Sequence, residues 1–510
     1  MILDGRRVPL AIGALVVLVG AATLLSAWPV GVFEDDGIYV VLAKSVATGH
    51  GYRYLNLPGE PVAAHYPPGF PLMLAALWAL WPAFPENVAL FKLANVILLA
   101  VAAVAGYHFA SKECALPRPA AAAVAIAGAL GVPALILAAM VLSETLFLAL
   151  LMLSLIASER MIREPTVRRA VEVGVLCGLL ALVRSLGLAL LLSTLLALGV
   201  RRSWRTAAVV SGTSLALLVP WKLWVTANAG MLPAALQGKY GTYGHWFSDG
   251  VREGLGFLAA VLWRNLQELF AMVAVLFGVL PWLPMRVVAV VGVAVLLVAG
   301  TLRLLPRVPV LIGCLTLYLG VVLVWPFSPL RFIWGIWLPL AIVIAAGVLA
   351  VREWMPRSSG ARAARAVALG AAGIALVGHV RYTGRGYLAR WWESIPRHGA
   401  TQAAPLVRWV TGMTASGSIL ASDHEVLVYL YTGRQAVPTG TFTAQMHVRP
   451  STVEEDATAM LALIRQYRAD YLLVERVALT PVNGLLERRP PAITFIDTLA
   501  GGGAVFSVPR

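Results

Sequence analysis

Three consecutive acids, Glu34, Asp35 and Asp36, follow the first apolar segment of a chain that has only 25 Asp and Glu among 510 residues. An aspartate near its reference pKa of ~3.9 is ionised at neutral pH and can accept a proton from a hydroxyl group. Adjacent acids raise each other's pKa, which makes one of them a better base. Capping of a helix predicted over 37–48 is the structural alternative, but capping requires only one such residue. The cluster therefore predicts a catalytic or ligand-binding carboxylate at a membrane surface.

The composition indicates that a membrane surrounds the elements that position these acids. Hydrophobic residues make up 59% of the chain and charged residues 13%, and the mean hydropathy is +0.80. A soluble domain carries roughly 25% charged residues. The 40 Lys and Arg lie mostly in short clusters between apolar runs, where they orient helices in the bilayer. No soluble segment has the basic, aromatic stripe that nucleic-acid binding requires, so nucleic acid is excluded as a partner.

Apolar runs of about 20 residues predict the membrane helices. The first run is interpreted as an anchor rather than a cleaved signal peptide. Three connections among the first seven helices, at 111–118, 159–169 and 201–205, are basic, and all three lie on the cytoplasmic side if Met1 is inside, as the positive-inside rule requires. Residues 256–283 are expected to lie at the interface or to re-enter, which gives eleven crossings, while twelve crossings stay open. The predicted spans are residues 10–28, 88–110, 119–138, 142–158, 170–184, 187–200, 206–226, 287–302, 308–326, 330–351 and 365–381.

The spans divide the chain into a transmembrane module, 1–384, and a small α/β domain, 385–510. The module has a first extracytoplasmic loop at 29–87 and a second large external loop at 227–255. In the tail, "GSILASD" and "DYLLVER" indicate strands, residues 452–468 a helix, and the last 19 residues two strands around a glycine turn.

Three features of the sequence argue against a metal site. In "SDHE" at 422–425 the last three residues cannot easily converge on one ion, because consecutive residues on a helix point in different directions, and Ser422 and Asp423 are interpreted as a helix cap. His65 and the nearby acids lack the spacing of metal ligands. The three cysteines lie in or beside apolar segments and form no CxxC pair.

The first loop resembles that of the GT-C superfamily, the polyprenyl-phosphate-sugar-dependent glycosyltransferases. The resemblance rests on "DDGIY" after the first membrane helix and on "HYPPGFPLML" further along the loop. "VLSETLFLALLML", "GLLALVRSLGLAL" and "WPFSPLRFIWGIWLPLAI" fit the same pattern, with Phe332 in place of the more usual Tyr. The resemblance covers roughly residues 8–351. The superfamily includes protein O-mannosyltransferases and lipid A aminoarabinose transferases, and the resemblance does not indicate a particular member.

The resemblance implies that Asp35 and Asp36 are catalytic. Asp35 matches the first acid of the family's pair, the proposed base, Asp36 matches the second, and Glu34 is extra. In an inverting displacement the base takes the acceptor's proton while the acceptor oxygen attacks the anomeric carbon. The leaving lipid monophosphate is already a stable anion, so it needs positive charge rather than a general acid. No cofactor is therefore expected to be required, although a divalent cation is possible.

Seven further residues are expected to bind substrate. Arg184 and Arg331, at outer helix ends, would neutralise the phosphate, or they would only extend to the membrane surface. Glu144 is expected to line a water-filled site, or to begin its helix after Ser143. The remaining four are His65 and Tyr66 of the first loop and Lys239 and Tyr240 of the second.

The second loop allows two interpretations. Lys239 would approach phosphate and the aromatic side chains a sugar ring, or the loop would lie among lipid headgroups.

The sequence leaves three functions open. The leading one is transfer of a sugar from a polyprenyl-phosphate donor to a lipid, polysaccharide or protein acceptor. The second is a membrane transporter or lipid flippase, although no two-fold repeat is visible. The third is a non-catalytic scaffold whose tail binds a partner. The expected location is a bacterial plasma membrane, with the site and the tail domain extracytoplasmic.

Overall fold

The computed structural model describes residues 7–26, 28–279, 282–354, 358–475, 479–486, 492–500 and 502–509. A helical bundle is followed by a small domain with a mixed sheet.

The helices and strands are numbered in chain order. The first half of the chain forms α1 Arg7–Leu24, α2 Asp35–Ala47, α3 Gly69–Leu80, α4 Val88–His108, α5 Arg118–Leu130, α6 Val132–Ala139, α7 Glu144–Arg163, α8 Val167–Val183, α9 Leu188–Val200, α10 Trp204–Asn228, α11 Ala234–Tyr240 and α12 Tyr243–Arg252. The second half forms α13 Leu255–Phe277, α14 Leu283–Leu304, α15 Pro309–Val324, α16 Leu330–Trp334, α17 Trp337–Glu353, α18 Ser359–Leu388, α19 Ser394–Met413, α20 Glu425–Thr432, α21 Val453–Gln466 and α22 Leu479–Leu486. The strands are β1 Leu420–Ser422, β2 Ala436–Pro438, β3 Tyr471–Val474, β4 Thr494–Thr498 and β5 Ala504–Ser507.

The bundle confirms the polytopic helical fold. Eight helices of the described residues are long and apolar enough to cross a membrane, and shorter apolar helices such as α9 and α15 pack among them. The eight are α1, α4 with its π-helical extension to Glu113, α5 with α6, α7, α10, α13, α14 and α18. The number of crossings stays a prediction.

Helix α13 counts among these eight by length and composition, and it packs against α14, α15 and α18. The side-chain amide of Asn265, in its middle, donates to the carbonyls of Val322 and Trp325 at the end of α15. Phe277, its last residue, stacks on His379 near the end of α18. The interfacial or re-entrant position expected for 256–283 stays a prediction, since the length and composition of α13 also suit a crossing.

Two glycines bring the first loop against its neighbours. A Cβ at Gly69 would lie 2.9 Å from the carbonyl oxygen of Leu182, so α3 packs directly on the end of α8. A Cβ at Gly37 would lie 2.7 Å from the side chain of Val426, so α2 packs equally closely on α20 of the tail. The first external loop, which contains α2 and α3, is thereby held between the bundle and the tail domain.

The tail folds around a five-stranded sheet with the order β2-β1-β3-β5-β4. Strands β2, β1 and β3 are parallel, while β5 pairs antiparallel with both β3 and β4. The strands expected in "GSILASD" and "DYLLVER", the helix over 452–468 and the glycine-turn hairpin are confirmed. The sequence interpretation missed β2, whose three residues are too short to show a periodicity.

The expected helix cap at Ser422 and Asp423 is wrong. Ser422 ends β1, and its hydroxyl accepts a hydrogen bond from the backbone N–H of His424, the residue that precedes α20. The Asp423 carboxylate accepts instead from the N–H of Glu475, just after β3. The Asp423 side chain therefore joins the carboxyl ends of the neighbouring strands β1 and β3.

Candidate active site

Asp36 supports the loop before α2. It is completely buried, and its carboxylate accepts hydrogen bonds from the backbone N–H groups of Gly31 at 2.9 Å, Phe33 at 3.0 Å and Gly37 at 2.9 Å. Burial raises the pKa of Asp36, although these hydrogen bonds oppose the shift. The expected catalytic role of Asp36 is therefore corrected, because a carboxylate with no exposed surface cannot reach an acceptor.

The backbone at Glu34 is strained, with φ 68° and ψ −71°. A non-glycine residue in such a conformation costs of order 1–3 kcal/mol and persists only where its surroundings fix it. Here the hydrogen bonds to Asp36 hold the preceding loop, and Lys239 lies 3.1 Å from the Glu34 carboxylate. This turn places Asp36 toward the loop and leaves the next carboxylate, Asp35, at the edge of the site.

Asp35 is the exposed member of the pair. Its side chain is 24% exposed, and its carboxylate pairs with the guanidinium of Arg331 and accepts a 2.6 Å hydrogen bond from the Tyr66 hydroxyl. Burial alone would raise the pKa of Asp35, but the charge of Arg331 and the two hydrogen bonds lower it below its usual value. Asp35 is thus an ionised carboxylate that a ligand can reach.

Glu144 joins two arginines beneath this pair. Its carboxylate lies 2.6 Å from Nη1 of Arg184 and also accepts from Nε of Arg331. Glu144 is only 4% exposed, whereas the two arginine side chains are 12% and 18% exposed. With Asp35, the group has two negative and two positive charges, so it is neutral before a ligand binds.

The neutral group still has unused hydrogen-bonding capacity. Within the described residues, Nη2 of Arg331 and Oε2 of Glu144 are buried and have no hydrogen-bond partner. Buried polar atoms of this kind are rare in folded proteins and require an explanation. A bound anion beside Arg331 would supply the missing acceptor.

Tyr39 is a site residue that the sequence interpretation missed. It lies four residues after Asp35, hence on the same face of α2, so the spacing in "DDGIY" could have indicated it. Its hydroxyl lies 3.1 Å from that of Ser143, which also accepts a 3.1 Å hydrogen bond from Arg184. Tyr39 therefore connects α2 to the Glu144 group.

Lys239 and Tyr240 fasten the second external loop to the tail domain. The ammonium group of Lys239 lies 2.7 Å from the carboxylate of Glu425, at the start of α20. The Tyr240 hydroxyl donates to the same carboxylate at 2.8 Å and accepts from the Asn56 amide at 3.2 Å. Tyr240 is 1% exposed, so its expected contact with a sugar ring is corrected. Lys239 is held by two carboxylates, so its charge is already compensated without a phosphate.

His65, in the first external loop, packs against the second external loop. It is 4% exposed, and its Nδ1 is hydrogen-bonded to the carbonyl of Gly241. Its ring packs against Tyr243 at 4.2 Å and Trp246 at 5.0 Å between centroids. Burial lowers the pKa of His65. His65 also lines a cavity of about 400 Å³ between the two external loops, and its expected substrate contact stays a prediction.

Tyr66 is equally buried, at 4% exposed. Its hydroxyl donates a hydrogen bond to the Asp35 carboxylate, and its ring centroid lies 5.2 Å from that of Tyr39. The expected direct contact of Tyr66 with substrate is thus replaced by a contact with the exposed carboxylate.

An apolar cavity of about 350 Å³ begins at the charged group. Tyr39, Arg184 and Phe332 line one part, and Leu192 and Val321 belong to the apolar walls that α9 and α15 contribute. A second cavity, of about 400 Å³, lies between α9, α10 and the two external loops. The first cavity offers an apolar chain a place beside a cation.

The structure thus brings together Asp35, Tyr66, Glu144, Arg184 and Arg331, and leaves Asp36, His65, Lys239 and Tyr240 in the loops that frame them. Across the described residues, no three His, Cys, Asp or Glu side chains are grouped so that they could hold a metal ion.

Solved structures resemble this fold over nearly its whole length. ArnT from Cupriavidus metallidurans in the apo state has a TM-score of 0.52 at 15% identity, with 99% of each chain covered. Its structure with undecaprenyl phosphate has a TM-score of 0.50 at 13% identity, again with 99% of each chain covered. The Archaeoglobus fulgidus oligosaccharyltransferase, in complex with Zn and sulfate, has a TM-score of 0.55 at 13% identity, covering 98% of this chain and 73% of that one.

These neighbours are GT-C glycosyltransferases. The protein has the GT-C fold. No family model and no curated protein sequence matches it. At these identities the likeness concerns the GT-C fold alone, and the function must be argued from the site.

Proposed function

We propose that this GT-C protein is a membrane glycosyltransferase that moves a sugar from a polyprenyl-phosphate donor to an extracytoplasmic acceptor. The observation that carries the proposal is the contact of an ionised, accessible Asp35 with Arg331, next to an apolar cavity that Arg184 lines. Undecaprenyl phosphate is bound in one of the GT-C structures that the chain resembles.

The donor fits this arrangement in two parts. Isoprene units would lie along α9 and α15 in the apolar cavity. The phosphate would lie at Arg184 and Arg331, where the unpaired Nη2 of Arg331 offers a further donor. Glu144 keeps both guanidinium groups in place, because it contacts each of them. The anomeric carbon would then lie next to Asp35, which contacts Arg331.

Transfer would proceed by inverting displacement. The Asp35 carboxylate takes the proton of the acceptor hydroxyl while the acceptor oxygen bonds to the anomeric carbon. The bond from that carbon to the phosphate oxygen breaks on the opposite face, and its electron pair stays on the polyprenyl phosphate. The growing charge on the phosphate strengthens its interaction with the arginines in the transition state, which is the condition for acceleration. This charge balance does not require a metal ion, and EDTA treatment would measure any dependence on one.

The charges at the two ends of the bundle support an extracytoplasmic site. At the end opposite Asp35, Arg160 and Arg163 pair with Glu113, and Arg307 donates to the Glu113 carbonyl. Basic connections of this kind face the cytoplasm in membrane proteins. The site and the tail domain would therefore face outward in a bacterial plasma membrane.

The test uses purified protein in lipid with a panel of radiolabelled polyprenyl-phosphate sugars and a cell-envelope extract as the source of lipid, polysaccharide and protein acceptors. The proposal expects label to pass from one donor into an acceptor fraction, with inversion at the anomeric carbon. Movement of an intact donor across liposomes without any product would support a transporter instead.

A further inference from the structure

A crevice of about 1000 Å³ opens on the side of the bundle, between helices α1, α4, α7 and α8. Small residues on three of these helices create the space: Gly13 and Ala14, Ala100 and Ala157. Apolar side chains at its walls, such as Ile97, are exposed. In a bilayer the crevice faces lipid, and its shape and charge indicate which part of a lipid it receives.

The length of the crevice matches one leaflet. On α4 its lining extends from Ile97, near the middle of the helix, to His108 at its end. At 1.5 Å per residue this distance is about 16 Å, roughly half of the ~30 Å hydrocarbon core. The crevice therefore accommodates the acyl chain of a lipid in one leaflet, the one opposite the candidate active site.

The end of the crevice at the membrane surface is basic. Arg160, Arg169 and His108 line it, together with the single acid Glu172. To acceptors in the described part of the chain, Arg160 donates only through Nε and Arg169 only through Nη1. Arg160 pairs with Glu113 and Arg169 with Glu164, but the two arginine side chains are 55% and 37% exposed. Each guanidinium group keeps further N–H donors that can form charge-assisted hydrogen bonds with a phosphate.

We propose that this crevice binds an anionic phospholipid, with one acyl chain along α1 and α4 and the phosphate at Arg160 and Arg169. A basic pocket between membrane helices selects anionic headgroups, and a zwitterionic lipid gains less because its own amine competes for the phosphate. The lipid fills the gap between α1 and α8, and so completes the packing of α1, which rests on α4, α5 and α6.

The first test fills the crevice. Full-length protein is mixed in detergent with equal amounts of phosphatidylglycerol and phosphatidylethanolamine, and bound lipid is counted by native mass spectrometry. The proposal expects wild type to retain one phosphatidylglycerol and Ala14→Phe to lose it. Ala208→Phe is the matched control, because Ala208 is exposed near the same end of the bundle on α10 and does not line the crevice. Unchanged retention in Ala14→Phe would overturn the proposal.

The second test removes a charge. Arg169→Gln should lower phosphatidylglycerol retention about fivefold, the effect of one basic residue at an anionic membrane surface. The neighbouring Arg168→Gln removes the same charge outside the crevice and should leave retention unchanged. Because bound lipid is counted only on folded protein, a variant that unfolds is recognised by its charge-state distribution. Equal losses in both variants, or equal retention of the two lipids by wild type, would show that no built headgroup site exists.

Discussion

Adjacent carboxylates with opposite roles allow a matched pair of substitutions, Asp35→Asn and Asp36→Asn. Each replaces one carboxylate oxygen by an amide NH2 group and keeps the size of the side chain. In Asp36→Asn the remaining oxygen can accept from only part of the backbone set that now binds both oxygens. At least one buried N–H, that of Gly31 or those of Phe33 and Gly37, then faces a second donor.

The size of each effect follows from these contacts. A buried donor left without its acceptor costs about 1–3 kcal/mol, which is a factor of roughly 5 to 150 in the folding equilibrium. Asp36→Asn should therefore lower the midpoint of thermal unfolding. Asp35→Asn should change the midpoint less, because Asp35 is partly exposed and Arg331 keeps its contact with Glu144.

The transfer rate should respond in the opposite order. Removal of a general base lowers the rate by about 10²-fold or more, so Asp35→Asn should be nearly inactive while folded. Asp36→Asn should retain most of its activity per folded molecule. The assay measures initial rates of label transfer beside a thermal unfolding curve for each variant. An Asp36→Asn protein that melts like wild type yet transfers no sugar would refute the assignment of roles.

Three further predictions concern the groups around the base. The wild-type rate should stay level as the pH falls from 7, because Asp35 has a lowered pKa and stays ionised. Arg331→Gln removes the charge that lowers this pKa, so the acidic limb of the pH profile of kcat/KM should move to higher pH. An unmoved limb would contradict the ion pair. Lys239→Met leaves the buried carboxylate of Glu425 without its cation, which should destabilise the fold by about 3–5 kcal/mol. Limited proteolysis should therefore cut the second external loop faster than in the control Lys222→Met, which replaces an exposed lysine. Equal cleavage of the two variants would show that Lys239 does not hold the loop. Leu192→Trp narrows the apolar cavity and should raise the KM for the polyprenyl-phosphate donor several-fold. Leu196→Trp, one turn further along α9 and outside the cavity, should leave this KM unchanged. Equal KM values for the two variants would show that the polyprenyl chain binds elsewhere.

The sequence was sufficient for the fold and for most of the residues that meet at the site, although it missed Tyr39. Asp35, Glu144, Arg184 and Arg331 are each costly at a helix end in lipid, so each was conspicuous alone. Their convergence follows from the direction of the helices, which the basic connections indicate. The turn at Arg184, between α8 and α9, is confirmed by the ends of these helices at Val183 and Leu188.

The sequence could not assign a role to each neighbour in the first loop. Nothing in "EDDG" shows which carboxylate turns to the backbone, because the choice depends on the strained conformation at Glu34. The partner of Lys239 was equally hidden, since Glu425 is 186 residues away in the tail. Contacts across such a distance arise only when the tail packs on α2, and short strands and loops of that domain carry little periodic signal.

The most direct test separates donor binding from donor consumption in Asp35→Asn. Wild type and Asp35→Asn are each incubated with the radiolabelled polyprenyl-phosphate sugar that wild type consumes, and bound and released label are measured in the same sample. The proposed mechanism predicts equal binding, with release of polyprenyl phosphate by wild type only. Equal release by both proteins would show that Asp35 is not the base, and binding without release by wild type in the presence of acceptor extract would contradict glycosyl transfer itself.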